Sequence, residues 1–200
     1  MKKYVLLAAL LIGGTAQAQE VPGLYITGDG GASFLPNLHV KNTSSGTLKE
    51  NFDTGYAAGG ALGYDTGNGV RLEIDSNYTL NNLAKVDGSR DNGHLDGTNV
   101  MVNGQVDLVH NASVTPYVGA GIGYQNIGVN ADGVSGHDWK PAYQAEAGLR
   151  SDVSDRVSVF GEYRFTQSAA ADIQDGNPQD AHQHFSDHGL LAGLTYHMGN

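Results

Sequence analysis

The chain has 200 residues, no cysteine, and 21 Asp and Glu against 11 Lys and Arg, a formal charge of −10 at neutral pH. So acidic a balance argues against a nucleic-acid partner, and the absence of thiols excludes disulfide staples and thiolate chemistry. The 29 glycines are spread through apolar segments instead of collecting in a linker, so no compositional boundary divides the chain.

Met1-Lys2-Lys3 is a basic start, Tyr4 to Ile12 an apolar run, and Ala16-Gln17-Ala18 a small-x-small cleavage site. This predicts a signal peptide over residues 1–18 and a mature chain from Gln19, with residues 19–200 forming one domain. The apolar run is too short to cross a bilayer as a helix, and no later stretch is long enough. Losing Lys2 and Lys3 makes the exported form more acidic still.

The first strand follows at once. Leu24, Ile26, Gly28, Gly30, Ala32 and Phe34 share one face, and Tyr25, Thr27 and Asp29 the other. Leu35 to Asn51 is polar and turn-rich and reads as a long loop. In the second strand Tyr56, Ala58, Gly60, Leu62 and Tyr64 alternate with Ala57, Gly59, Ala61 and Gly63. Asp65-Thr66-Gly67-Asn68-Gly69 is then a tight turn of residues that tolerate positive φ.

The third strand, Gly69 to Tyr78, has the clearest two-faced pattern. Val70, Leu72, Ile74 and Tyr78 oppose Arg71, Glu73, Asp75 and Asn77. A second long loop is expected from Leu80 to Asp96. The fourth strand sets Val100, Val102, Gly104, Val106 and Leu108 against Asn99, Met101, Asn103, Gln105 and Asp107. After a short turn at His110 to Ser113, the fifth strand runs from Thr115 to Tyr124, one face nearly all glycine. Pro116 sits at its start, where a missing ladder donor is tolerated.

A third long loop is expected from Gln125 to Lys140. The sixth strand places Tyr143, Ala145, Ala147 and Leu149 opposite Gln144, Glu146, Gly148 and Arg150, and Ser151 to Asp155 makes the next short turn. In the seventh strand Val157, Val159, Gly161, Tyr163 and Phe165 oppose Ser158, Phe160, Glu162, Arg164 and Thr166. The fourth long loop, Gln167 to Asp187, has no Lys or Arg. The eighth strand sets Leu190, Ala192, Leu194, Tyr196 and Met198 against Leu191, Gly193, Thr195 and His197.

Eight segments of about ten residues each suit strands tilted across a hydrocarbon layer. Their connections alternate long and short, which puts all short turns on one rim and all long loops on the other. Phe34, Tyr56, Tyr78, Tyr124, Tyr143 and Phe165 cluster at the loop-side end of the apolar face, with Tyr64 and Tyr196 at the turn-side end, as two interfacial girdles require. A secreted soluble barrel with an apolar interior is the alternative architecture. The charged face recurs on strands one, three, four, six and seven, which favours a polar lumen and a lipid-facing exterior. The expected fold is all-β: an eight-stranded antiparallel up-and-down transmembrane β-barrel behind a cleaved signal peptide.

With this pattern, the fifth strand Thr115-Pro116-Tyr117-Val118-Gly119-Ala120-Gly121-Ile122-Gly123-Tyr124 and the closing strand Gly189-Leu190-Leu191-Ala192-Gly193-Leu194-Thr195-Tyr196, the mature chain resembles the small outer-membrane β-barrel family of Gram-negative bacteria, the OmpA-type and opacity-type (porin family) barrels. The resemblance implies the cell outer membrane, with both termini periplasmic, and engagement by the barrel-assembly machinery. The chain departs from the family in ending Met198-Gly199-Asn200 where members commonly end on an aromatic residue, and no peptidoglycan-binding domain is expected after the barrel.

Nine charged residues fall on the inward face: Asp29, Arg71, Glu73, Asp75, Asp107, Glu146, Arg150, Glu162 and Arg164. An eight-stranded lumen is largely filled by side chains, so a paired ionic plug is the structural expectation and a gated ion path the functional one. Glu146 and Arg164 are expected to meet at mid-depth. Gly119, Gly121 and Gly123 are expected to make room for long neighbours, with a polar cavity as the alternative. In the fourth loop, His182, His184 and His188 with Asp172, Asp175, Asp180 and Asp187 offer metal-type side chains without a metal-site spacing, so no metal or cofactor is expected. His184-Phe185-Ser186 does not make a triad, and no enzymatic activity is expected. The sequence reads as a structural and surface protein of the envelope, monomeric and in contact with outer-membrane lipid and lipopolysaccharide. A narrow passive channel, or an adhesin recognising host molecules through its loops, is the alternative.

Overall fold

The computed structural model describes residues 22–34, 39–40, 48–49, 54–82, 94–109, 112–131, 134–169 and 186–198. In chain order the strands are β1 (Gly23–Phe34), β2 (His39–Val40), β3 (Leu48–Lys49), β4 (Gly55–Asp65), β5 (Val70–Asn82), β6 (His94–Asp107), β7 (Thr115–Ala131), β8 (Val134–Ser154), β9 (Val157–Ser168) and β10 (Ser186–His197). Eight of them close into an antiparallel barrel in the order β1-β10-β9-β8-β7-β6-β5-β4, and β2 and β3 pair only with each other. Closure comes from β1, which pairs with β4 through Gly28↔Gly60 and with β10 through Gly28↔Leu194. Each backbone edge of the cylinder thereby finds a partner, the condition for placing strands in lipid.

The burial pattern is inside-out relative to a soluble protein. On β5, Arg71 is 4% exposed and Leu72 55% exposed. Among the described residues, Arg, Asp, Glu, Asn and Gln side chains fill much of the interior while most Leu, Ile, Val and Tyr side chains face outward, Tyr25, Tyr117 and Leu191 being buried exceptions. That is the arrangement a lipid-embedded barrel needs, and it excludes the soluble barrel with an apolar interior. No helix among the described residues is long and apolar enough to cross a membrane. The girdles stand largely as expected: Phe34, Tyr56, Tyr78, Tyr124 and Tyr143 are exposed on the loop side, and Tyr64 and Tyr196 on the turn side, while Phe165 is half-buried between Tyr143 and His188.

The β4–β5 turn shows its local chemistry directly. Gly67 and Gly69 adopt φ of 74° and 81°, values that a Cβ disfavours. Thr66 N donates to Val70 O at 3.0 Å, and Gly67 N donates to Asp65 Oδ1 at 2.8 Å.

Several loop boundaries differ from the expectation. Gln125 to Lys140 is largely a β-hairpin: β7 and β8 stay in register to Ala131↔Val134, and β6 supplies ladder partners to β7 as far as Asn130. The Asn- and Gly-rich sequence there has weak strand propensity, but neighbouring strands supply the backbone hydrogen bonds that override it. For the same reason β5 runs on to Asn82 and β6 starts at His94, inside the expected second loop. The expected Leu35 to Asn51 loop contains the β2–β3 ladder. The turn expected at Ser151 to Asp155 narrows to Asp155 and Arg156 after a register shift between Asp152 and Ser154. The signal peptide, and fourth-loop residues 170–185 with Asp172, Asp175, Asp180, His182 and His184, lie outside the described residues.

Candidate functional site in the barrel lumen

Period-two alternation on eight strands brings all nine expected charges into the interior. Asp29 is half-buried, and Arg71, Glu73, Asp75, Asp107, Glu146, Arg150, Glu162 and Arg164 are buried. They sort into two groups along the barrel axis.

At the turn-side end, Asp107 of β6 bridges two guanidiniums: Arg71 Nη2 donates to Oδ1 at 2.9 Å, and Arg150 Nη2 to Oδ2 at 2.8 Å. Arg150 also lies 3.8 Å from Asp65. Arg71 stacks with its Cζ 4.8 Å from the centroid of the Tyr117 ring. Two cations and two carboxylates here neutralise one another, which offsets the several kcal/mol, roughly, that burying each ion costs.

The central group gathers on Arg164 of β9. Its guanidinium reaches Glu162 at 2.9 Å, Glu146 at 3.6 Å and Asp75 at 3.6 Å, carboxylates from three strands. Neutral polar side chains share the remaining oxygens. Tyr25 Oη donates to Glu73 at 2.8 Å and Tyr117 Oη to Glu162 at 2.7 Å. Gln105 Nε2 spans Glu73 and Glu146 at 2.8 and 3.0 Å. Gln144 Nε2 lies within 3.0 Å of both Asp75 and Glu146, and Asn103 Nδ2 donates to Asp75 at 2.8 Å. The Asn77 amide, with its oxygen turned to Arg164, donates to Ala58 O at 3.3 Å.

Three aromatic side chains fill the remaining width, each lying over a glycine directly across the ladder: Tyr25 over Gly63, Tyr117 over Gly148 and Phe160 over Gly193. A Cβ at any of these glycines would overlap the ring opposite. Gly119, Gly121 and Gly123 do the same for Glu146, Asn103 and Met101. The glycine face of β7 is therefore packing relief, as expected, and the long side chains of neighbouring strands occupy its space.

The pairing of Glu146 with Arg164 is as the sequence predicts. Asp65 is an addition: its sequence position marks it as a turn residue, yet its side chain is buried beside Arg150. Tyr25 and Tyr117 are also additions, and their signal was an inward-parity tyrosine facing an inward glycine. At the fourth loop's edge, Asp187 accepts from Ser33 Oγ at 2.6 Å, and His188 Nδ1 lies 2.6 Å from Tyr163 Oη. These adjacent residues serve opposite faces of β10, so they do not converge on one ligand. No group of three or more His, Cys, Asp or Glu among the described residues is placed to hold a metal.

One cluster has catalytic residue types. Ser158 Oγ donates to Asp152 Oδ1 at 2.7 Å and lies 3.1 Å from His197 Nε2. The serine occupies the middle, with its proton committed to the carboxylate and its side chain only 1% exposed. A nucleophilic triad instead has the histidine in the middle, taking the serine proton. This cluster fastens β8, β9 and β10 together at the turn-side mouth.

The family model described as outer membrane protein β-barrel domain matches residues 4–197. The chain is 24% identical to the outer membrane protein PagN of Salmonella typhimurium, across 98% of this chain and 99% of that one. It is 25% identical to "Putative adhesin RT0816" of Rickettsia typhi across 68% and 71%. Among solved structures, Neisserial surface protein A superposes with a TM-score of 0.62 at 16% identity, covering 88% of this chain and 97% of that one. OprG of Pseudomonas aeruginosa superposes with a TM-score of 0.57 at 10% identity, covering 91% and 99%. At these identities the structural likenesses establish the shared barrel fold.

Proposed function

Because this chain belongs to the outer membrane protein β-barrel domain family, we propose that it is an outer-membrane scaffold whose plugged lumen carries no traffic and whose loops make its surface contacts. The observation that carries this reading is the filled interior. The cavity between the two charge groups amounts to about 10 Å³, room for about one water. A hydrated ion, which carries several waters, is larger than that space. The test is planar-bilayer recording of the refolded protein. Silent bilayers are expected, and reproducible conductance would overturn the closed scaffold in favour of the narrow channel.

The loop-side rim faces the exterior in this reading, and both termini face the periplasm. The short turns lie on the same rim as the start of β1 and the end of β10, as in barrels with short periplasmic turns. Between the two girdles, the outward positions of the described strands carry no charged side chain. Contact with anionic lipopolysaccharide then falls to the acidic loops and runs through bridging divalent cations. The scaffold acts as a monomer, delivered by the barrel-assembly machinery, and performs no catalytic step.

The adhesin reading is favoured by one feature of the fold. Beyond Tyr124 and Tyr143 the β7–β8 ladder continues to Ala131↔Val134, roughly 20 Å of strand beyond the girdle at 3.3 Å per residue. A paired hairpin of that reach presents residues to a partner surface, and the Rickettsia typhi relative is named as an adhesin. Deleting the gene and scoring envelope permeability together with attachment separates the two roles. Attachment loss with intact permeability supports adhesion, and the converse supports the envelope scaffold.

A further inference from the structure

The cavity of about 10 Å³ is walled by three guanidiniums, of Arg71, Arg150 and Arg164, and three carboxyl groups, of Asp29, Glu73 and Glu162. Gln105 also lines it, and Arg71 Nε and Gln105 Oε1 are buried with no hydrogen-bond partner among the described residues. The two residues are directly paired across β5 and β6, and they are 4% and 3% exposed.

Both side chains are held in place. Gln105 commits its amide nitrogen to Glu73 and Glu146 at 2.8 and 3.0 Å, so Oε1 is turned away from both carboxylates. Arg71 is fixed by Asp107 at 2.9 Å and by the Tyr117 ring, which leaves its Nε–H outside those contacts. A buried donor and a buried acceptor without partners each cost roughly 1–3 kcal/mol.

The wall decides what fits. A cavity of this size holds about one water-sized species. A cation there faces three guanidiniums, and an anion faces three carboxyl groups and the Gln105 carbonyl. A neutral molecule that accepts one hydrogen bond and donates another serves both atoms at once. We infer that a single ordered water bridges these two atoms, accepting from Arg71 Nε–H and donating to Gln105 Oε1. The water links the turn-side charge group, through Arg71, to the central group, through Gln105. The site stands on lumen geometry alone and is independent of what the loops bind.

The experiment is proton-detected NMR of the full barrel in lipid nanodiscs, with arginine side chains labelled. Expected is a rotating-frame Overhauser cross-peak between Arg71 Nε–H and a water of long residence, and its loss in Gln105→Met with the amide spectrum still dispersed. Absence of the cross-peak in the wild type overturns the site, whatever the variant does. So does its persistence in Gln105→Met. A shift of Arg71 Nε–H when sodium or chloride is exchanged at constant ionic strength would identify an ion in the cavity and overturn the water.

Discussion

Glu146 and Arg164 stand directly opposite each other on β8 and β9, with Arg164 Nε 3.6 Å from Glu146 Oε1. Arg164 is nearer still to Glu162, at 2.9 Å, and reaches Asp75 at 3.6 Å. One guanidinium thus organises three carboxylates from three strands. Its removal leaves them buried and facing one another. Arg164→Met is expected to destabilise the barrel by about 3–5 kcal/mol, the cost of breaking a buried pair on one side. Urea unfolding from lipid vesicles measures it. Adding Glu162→Gln should restore part of the loss, and strict additivity of the two changes would show that the pair is not coupled.

Tyr117 and Tyr124 lie on opposite faces of β7. Tyr117 donates to Glu162 at 2.7 Å inside the lumen, and Tyr124 is exposed in the loop-side girdle. Removing the hydroxyl of Tyr117 leaves a buried carboxylate one donor short. Tyr117→Phe should therefore cost about 1–3 kcal/mol, with Tyr124→Phe well below it under the same unfolding conditions. Equal effects would place the two rings in equivalent surroundings.

Glycine is required at Gly148 by the ring across the ladder and is not required at Gly161. A Cβ on Gly148 would lie 2.5 Å from Tyr117 Cζ, whereas a Cβ on Gly161 meets nothing within 4 Å. Gly148→Ala must push Tyr117 away from Glu162, an overpacking cost of about 1–3 kcal/mol. Gly161→Ala adds a methyl to the lipid face and should be neutral or stabilising. The two variants make the same chemical change, so their difference in unfolding midpoint reads lumen packing alone.

Arg71, Glu73 and Asp75 were legible as lumen residues because their parity is unbroken, and parity is local. Glu146 with Arg164 was legible because both have inward parity on strands joined by a short turn. The bonds from Tyr25 to Glu73 and from Tyr117 to Glu162 were not, because they join strands that are not neighbours in the barrel: β1 to β5 and β7 to β9. Such contacts depend on the curvature of the cylinder, which strand alternation does not encode. Asp65 was hidden by a turn, where the period of two stops. The continuation of β7 and β8 through Asn126 to Lys140 was hidden because its ladder partners lie on other strands, β6 among them.

The depth of β5 in the bilayer gives a graded test of the inside-out arrangement. Val70, Leu72 and Ile74 all face outward, at 37%, 55% and 57% exposure, and they step away from the Gly67–Gly69 turn toward the middle of the wall. An arginine on the lipid face costs about 2–4 kcal/mol at the bilayer midplane and about 0–1 kcal/mol near the interface. Ile74→Arg should therefore destabilise most, Leu72→Arg less, and Val70→Arg least, because at Val70 the guanidinium reaches water beyond the turn-side girdle of Tyr64 and Tyr196. Folding each variant into vesicles and titrating with urea orders them. A flat series would contradict a lipid-facing exterior. A reversed order would move the midplane toward the turns, leaving the Tyr64 and Tyr196 rings inside the hydrocarbon.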